Sequence, residues 1–284
     1  MFRLMELVCD NSELNGIWGA EAPDILVIGG YAIRRDMTVG LLERVKAFKA
    51  KHGLDSHCPV KWNMRDLDRP LAAHGLENQK QILIEKSDAI RTDLLDVLTT
   101  AGAVIFVSII HAYSNNKQVL GKTKEDLVGY SFGNLLMRVG LFCKDSAGGR
   151  RVDSLLDWPE ANNRAPFTSE YHTGWRYGRS GPEQGGVKYQ CGALAQMAFA
   201  PTVAFAGMEF EPRLQLADLV VGAGREFINY SMGKSKKEAF GVQRFKALLP
   251  HLYQANGQTL GRGITVSPTN GDLSAAVLKA LKSL

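Results

Sequence analysis

Short apolar runs rich in β-branched residues alternate along this chain with longer stretches whose apolar residues recur at helical spacing. The runs that predict strands are residues 3–9, 24–33, 103–110, 152–158, 203–210 and the short run 264–266. The stretches that predict helices are residues 36–53, 75–98, 122–144, 212–230, 236–252 and 271–284. Such an alternation is typical of an α/β domain in which helices cover a sheet.

The chain order also predicts how the domain is divided. The first two strands are separated by a polar stretch containing glycine, so we expect a hairpin-like connection. Residues 160–192 combine glycines, prolines, aromatic and charged residues without a sustained period, which predicts a long loop or partly ordered insertion. We therefore expect an α/β domain over residues 1–230 and a helical extension over 231–284 packed on it.

Charge is unevenly distributed along the chain. The chain has 34 Lys and Arg against 29 Asp and Glu, a net charge of +5. Nine Lys or Arg but only three Asp or Glu follow Asp218. A basic extension of this kind suits nucleic acid, although the solvated face of an ordinary helix has the same composition.

Composition narrows the class of protein further. Hydrophobic residues make up 45% of the chain, which is enough for a large core and argues against disorder. The four cysteines form no C-x-x-C pair, and no apolar run is long enough to span a bilayer. The first residues do not resemble a secretory signal. We therefore expect a soluble, cytoplasmic protein without a membrane partner.

Three acidic residues stand in otherwise apolar surroundings. Asp10 follows Val8 and Cys9, Asp157 follows two leucines, and Asp218 lies between alanine and leucine in a predicted helix. A carboxylate buried alone is costly, so it is normally paired, hydrogen-bonded or bound to a cation. Oxygen ligands from three separate segments suit Mg²⁺ or Mn²⁺.

Each of these acids also has a purely structural interpretation. Asp10 precedes Asn11 and Ser12 and could form an Asx turn, and Asp157 could be a turn former at the end of a strand. Asp218 could simply pair with Gln215, which lies three residues earlier on the same helix face.

Together with Lys61-Trp62, these residues form a recognisable set. Asp10-Asn11-Ser12 after an N-terminal strand, a strand ending in Asp157 and the Gln215-x-x-Asp218 motif resemble the domain of unknown function 3800 family. The resemblance covers most of residues 3–230. It implies a ribonuclease H-like mixed sheet flanked by helices, with a metal-dependent nuclease site. The chain departs from the family pattern at Asn11, where the family usually has Glu.

The resemblance also implies roles for single residues. Asp10, Asp157 and Asp218 would hold Mg²⁺ or Mn²⁺, Lys61 would contact the scissile phosphate, and Gln215 would orient the site or the substrate. The function that follows is a divalent-metal-dependent phosphodiesterase that cleaves nucleic acid, DNA or RNA. The alternative is a catalytically impaired nucleic-acid-binding or complex-forming protein, with Asn11 marking the loss.

Basic residues outside this set are candidates for contacts with nucleic acid. Arg176 and Arg179 lie among aromatic residues in the predicted loop, a mixture that suits base stacking and phosphate binding. It equally suits a loop that packs on its own domain or on a partner in a homodimer. Lys234, Lys236 and Lys237 are the candidates in the basic extension.

Overall fold

The computed structural model describes residues 3–14, 25–111, 113–114, 117–118, 124–145, 150–159, 163–181 and 187–284. The strands are β1 (Arg3–Leu14), β2 (Ile25–Arg34), β3 (Val104–His111), β4 (Tyr113–Ser114), β5 (Lys117–Gln118), β6 (Arg150–Asp157), β7 (Arg179–Ser180), β8 (Val187–Lys188), β9 (Phe199–Ala206) and β10 (Ile264–Ser267). The helices are α1 (Arg35–Lys51), α2 (Asp68–Ala72), α3 (Lys80–Glu85), α4 (Ser87–Thr100), α5 (Lys124–Asp145), α6 (Ala165–Tyr177), α7 (Pro212–Ser231), α8 (Phe240–Leu248) and α9 (Asp272–Ser283).

Six of the strands form one mixed sheet in the order β10-β3-β2-β1-β6-β9. Strand β2 runs antiparallel to β1 and β3, whereas the other neighbouring pairs are parallel. The prediction of an α/β fold with a mixed sheet flanked by helices is confirmed, and so is the antiparallel pairing of the first two strands.

Helices cover both faces of the sheet and divide the core in two. The first core includes Val8 of β1 together with apolar residues of α1, α4 and α7. The second includes Leu7 and Cys9 of the same strand with residues of α5 and α6. Because neighbouring side chains of a strand point to opposite faces, residue 10 faces the α7 side of the sheet.

Helix α7 crosses the centre of the sheet and carries one of the predicted acids. Pro212 occupies the first turn, as predicted, and the Glu211 side chain accepts a hydrogen bond from the backbone N–H of Arg213 (3.1 Å). The helix contacts both β1 and β2. It runs in the same direction as β1, since Arg213 contacts Glu6 near the start of that strand and Arg225 contacts Ser12 near its end.

The prediction of a long loop or partly ordered insertion over residues 160–192 is wrong over 165–177. Helix α6 occupies residues 165–177, with Phe167, Tyr171 and Gly174 buried on one side. Their spacing of four and three residues is helical, but the flanking glycines and charges hid it. The structure therefore has an ordinary helical crossover between the parallel strands β6 and β9.

Other element boundaries also differ from the sequence prediction. Strand β9 ends at Ala206, four residues before the predicted end, because the next residues turn back and the Phe210 N–H donates to the Gly207 carbonyl (3.0 Å). Helix α8 covers only 240–248 of the predicted 236–252, and a short 3₁₀ turn containing Pro250 follows it. None of the helices in the described ranges combines the length and apolar character needed to cross a membrane.

Candidate functional site

A cleft of about 1160 Å³ opens where the carboxyl ends of β1 and β6 meet the loop after β9. In sheets with parallel strands, ligands commonly bind beyond the carboxyl ends of the strands. Its lining includes Asp10, Asn11, Ser12, Glu13, Lys61, Asp66, Arg69, Asp157, Trp158, Met208, Glu209, Phe210, Asp218 and Arg225. The cleft thus contains Lys61 and all three of the acids singled out in the sequence.

Asp10 and Asp157 reach the cleft through the register of the sheet. The parallel pairing of β1 with β6 places Cys9 opposite Leu156, so the next residues on the two strands are Asp10 and Asp157. Asp10 does not end its strand, contrary to the sequence prediction, because β1 continues along β2 to Leu14. It lies instead at the point where β1 leaves β6.

Backbone amides hold two of the carboxylates. The Asn11 N–H donates to Oδ1 of Asp10 (2.7 Å), and the Met208 N–H donates to Oδ1 of Asp157 (3.0 Å). These are fixed donors on loops and strands, so they orient the two carboxylates without neutralising them. Met208 belongs to the turn after β9, a residue that no sequence motif pointed to.

Asp218 comes from the opposite side of the cleft, on α7. Its Oδ2 accepts a short hydrogen bond from the Trp62 N–H. The neighbouring Lys61 therefore lies beside Asp218. Burial raises the pKa values of Asp10, Asp157 and Asp218, and the positive charge of Lys61 opposes this rise. Lys61 is half-buried in the cleft wall.

Several contacts fix the Lys61-Trp62 segment. The Trp62 carbonyl accepts a hydrogen bond from Nε of Arg91 (2.9 Å), and the guanidinium of Arg91 lies over the indole ring, 5.1 Å from its centre. The indole also stacks on Phe240 of α8, with 6.2 Å between ring centres. Helices α4 and α8 thus position a segment whose amide reaches Asp218.

The three carboxyl groups repel one another. Burial, then the charges of Asp218 and Asp157, raise the pKa of Asp10 well above its ordinary value. Burial raises the pKa of Asp157 to about 6 and also raises that of Asp218, which accepts a hydrogen bond from the Asp10 side chain. Burial and the neighbouring charges therefore favour the protonated form of Asp10.

The whole cleft is acidic. Six Asp or Glu side chains line it, whereas its basic residues are Lys61, Arg69 and Arg225. Arg225 lies seven residues, or two helical turns, after Asp218, and that spacing is the sequence signal that would have placed it on the same face of α7. Its Nη1 donates to the Ser12 hydroxyl (3.2 Å).

Gln215 does not line the cleft. Its side chain is buried, where Oε1 accepts a hydrogen bond from Nζ of Lys49 (2.9 Å) and Nε2 donates to the Met208 carbonyl (3.0 Å). Gln215 therefore reaches the site indirectly, because it holds the peptide segment whose N–H binds Asp157. The sequence placed this residue beside Asp218 but could not indicate its buried lysine partner.

None of the other residues predicted to contact nucleic acid lines the cleft. Arg176 lies in the last turn of α6. It is twelve residues after Arg164, which precedes the helix, so the two are roughly 18 Å apart along the helix axis at 1.5 Å per residue. Arg179 follows that helix in β7. Lys234 and Lys236 lie in the segment after α7, and Nζ of Lys237 contacts the Ser283 carbonyl at the end of α9.

The donor set fits a divalent cation in kind and number. Three carboxylates from three elements, with pKa values raised by burial, provide the hard oxygen ligands that Mg²⁺ and Mn²⁺ prefer. In the described ranges, however, no three His, Cys, Asp or Glu side chains are already grouped closely enough to hold a metal ion. Binding would therefore require these side chains to move together.

Comparison of the chain with protein-family models, with curated proteins and with solved structures found no match. The site therefore has to be interpreted from its own residues and their geometry.

Proposed function

We propose that the protein is a divalent-metal-dependent phosphodiesterase that acts on nucleic acid, and that its sheet is of the ribonuclease H-like class. One observation carries the proposal: Asp10, Asp157 and Asp218 come from separate parts of the chain, line one cleft and have pKa values that burial raises, and the charge of Asp218 raises those of Asp10 and Asp157 further. Groups that repel one another in this way lower stability unless a cation or a proton offsets the charge. Clusters of perturbed carboxyl groups in a cleft are characteristic of functional sites.

The charge of the cleft supports a role for a cation when the substrate is anionic. Twice as many acidic as basic residues line it, so a phosphodiester would be repelled by the protein alone. Mg²⁺ or Mn²⁺ bound to the carboxylates would offset this excess of negative charge, activate a water molecule and stabilise charge on the phosphoryl oxygens.

The residues of the chain have separate tasks in this scheme. Asp10, Asp157 and Asp218 provide the ligands, while the N–H groups of Asn11, Met208 and Trp62 keep the carboxylates pointed into the cleft. The Lys61 ammonium is placed to meet a non-bridging phosphate oxygen as negative charge develops there. No side chain needs to form a covalent intermediate.

The test is cleavage of labelled DNA, RNA and hybrid substrates with Mn²⁺, with Mg²⁺ and with EDTA. We expect cleavage that EDTA abolishes and that Asp218→Asn lowers by more than about 100-fold, because the variant loses a ligand rather than an outer contact. Asp153→Asn is the matched control, since Asp153 is on the same strand as Asp157 but is only half-buried, does not line the cleft and contacts Arg35 and Arg151. Absence of cleavage under every condition, or an active Asp218→Asn, would rule the proposal out.

One observation favours a rival function. Because the carboxylates are not already grouped around a common point, and Asn11 replaces the Glu expected from the family pattern, a protein that binds nucleic acid without cleaving it fits the same fold. Tight binding without cleavage in the assay above would establish the rival.

A further inference from the structure

Aromatic side chains are exposed beside the carboxylates. Among the described residues, three aromatic side chains are exposed: Trp158 (42%), Phe210 (65%) and Tyr177 (41%). Two of them, Trp158 and Phe210, line the cleft. Single exposed apolar residues are common on any surface, but two large rings at the acidic cleft form a group that needs an explanation.

Both rings belong to the same wall of the cleft. Trp158 directly follows Asp157, and its N–H donates to the Ala206 carbonyl of β9 (2.9 Å). Phe210 lies two residues after Met208, whose N–H binds Asp157. The two aromatic residues therefore flank the segments that form and orient the Asp157 carboxylate.

Neighbouring residues support each ring in its exposed position. Trp158 packs edge-to-face with Phe205, with 6.4 Å between ring centres, and the guanidinium of Arg164 lies 4.7 Å from the indole centre. Phe210 packs against the His74 ring at 5.1 Å, and Nε2 of His74 is 2.7 Å from the Glu209 carbonyl oxygen. Rings held in this way present a surface without a large loss of side-chain freedom on binding.

Nucleic-acid bases are the groups in a polyanion that bind such surfaces. An aromatic side chain stacks on any base, and cationic residues alongside contact the phosphates. The cations are present, because Arg164 lies on Trp158 and Arg69 lines the cleft close to the His74 segment. In a duplex the bases are already stacked and paired, so their faces are not accessible.

We propose that Trp158 and Phe210 form a stacking platform for unpaired bases, so that the substrate of this cleft is single-stranded nucleic acid. The inference rests on the proposed function for the identity of the ligand and adds its strandedness. It assigns the β6–β9 wall of the cleft to the bases and the Lys61 wall to the phosphate.

The test measures binding rather than cleavage. Fluorescence anisotropy would follow labelled 12-nucleotide single strands, matched duplexes and single strands with abasic sites, in Ca²⁺, with a gel to show that the probes stay intact. Ca²⁺ binds carboxylate oxygens and so offsets the negative charge of the cleft. The wild-type protein would be compared with Trp158→Leu and Phe210→Leu, which keep an apolar side chain, and with Trp158→Tyr, which keeps an aromatic ring.

We expect single strands to bind more tightly than duplexes, and Trp158→Leu and Phe210→Leu each to weaken single-strand binding about tenfold. Trp158→Tyr should keep most of the affinity, and abasic probes should bind wild type as weakly as intact probes bind the leucine variants. Tyr177→Ala is the matched control, because Tyr177 is equally exposed, has Arg176 5.2 Å from its ring centre and lies outside the cleft. It should leave binding unchanged.

Equal affinity for single strands and duplexes, or leucine variants that bind like wild type, would overturn the inference. So would equal binding of abasic and intact probes, since phosphate contacts alone would then account for affinity. These outcomes are separable from failure of the proposed function. A protein that binds single strands through the platform without cleaving them keeps the inference, whereas one that cleaves duplexes regardless of Trp158 and Phe210 keeps the activity.

Discussion

At the scale of single residues, Asp157 links the site to the stability of the protein. Burial raises its pKa from 3.8 to about 6. Between about pH 4 and pH 6 the folded state therefore holds more protons at this carboxyl than the unfolded chain does, so the free energy of unfolding falls as the pH rises through that range. Above it, the ionised carboxylate remains a cost of the fold.

The variant Asp157→Asn removes this cost. In the absence of metal at pH 7.5, we expect it to be about 1–2 kcal/mol more stable than wild type, a figure reduced for the access of solvent to the cleft. At pH 4 the difference should nearly vanish, because wild type is then protonated. Chemical unfolding with EDTA at both pH values measures this, and Asp153→Asn serves as the control. A variant less stable than wild type at pH 7.5 would contradict the expectation.

A second residue-scale prediction concerns the buried pair Lys49 and Gln215. Burial lowers the pKa of Lys49 to about 8, and its hydrogen-bond partners are the Gln215 side chain (2.9 Å) and the Ser56 carbonyl (3.5 Å). Gln215→Leu leaves the ammonium poorly solvated and should cost about 2–4 kcal/mol. Lys49→Met should cost less, because it removes the buried charge.

The double variant Lys49→Met/Gln215→Leu should therefore be more stable than the sum of the single effects predicts, by about 1–2 kcal/mol. Urea unfolding of the four proteins gives this coupling energy. Simple additivity would show that the two side chains are not energetically linked.

At the scale of elements, α7 combines a face that lines the cleft with a close contact to Trp62. Asp218 and Arg225 line the cleft, while Gly222 between them touches the Trp62 ring. A Cβ at Gly222 would lie 2.1 Å from Cγ of Trp62, closer than any real contact. The absence of a side chain at residue 222 is thus what allows the Trp62 amide to reach Asp218.

Gly222→Ala should displace Trp62, destabilise the protein by about 1–3 kcal/mol and lower activity, because overpacking shifts the backbone. Gly224→Ala, two residues further along the helix, is the matched control. Its Cβ would meet Val107 at 3.5 Å and Phe245 at 3.9 Å, both ordinary contacts, so the variant should be neutral or up to about 1 kcal/mol more stable. Melting curves and tryptophan fluorescence would compare them, and equal behaviour of the two variants would remove the packing explanation.

At the scale of the whole molecule, helix α8 of the basic C-terminal extension packs on the α7 side of the sheet. Phe245 of α8 stacks on Phe227 of α7 with 4.4 Å between ring centres, and Phe240 stacks on Trp62. The start of α8 is therefore close to the Lys61-Trp62 segment. A strand of nucleic acid that leaves the cleft past Lys61 would meet the basic residues that precede this helix.

Replacing Lys234, Lys236 and Lys237 by Gln should weaken binding to a similar degree for all sequences, because the contacts would be to phosphates. The slope of log affinity against log salt concentration should become shallower by about 2. Stability should hardly change, since exposed charges contribute little to it. Binding curves at several salt concentrations that superimpose on wild type would show that nucleic acid takes another path.

The sequence by itself determined the α/β class, the order of most strands and helices, and the three acids worth following. These properties depend on hydrophobic period and composition over a few residues, which a single stretch of sequence contains. Helix α6 is the exception, because its buried face includes Gly174 and its neighbours are irregular.

Only the tertiary structure decided how these parts combine into a site. The register of β1 against β6 brought Asp10 level with Asp157, although 146 residues separate them in the chain. Packing placed Gln215 behind the cleft on Lys49, and left Trp158 and Phe210 exposed beside the carboxylates. Residue type alone cannot determine such outcomes, because burial and proximity depend on which distant elements cover each side chain.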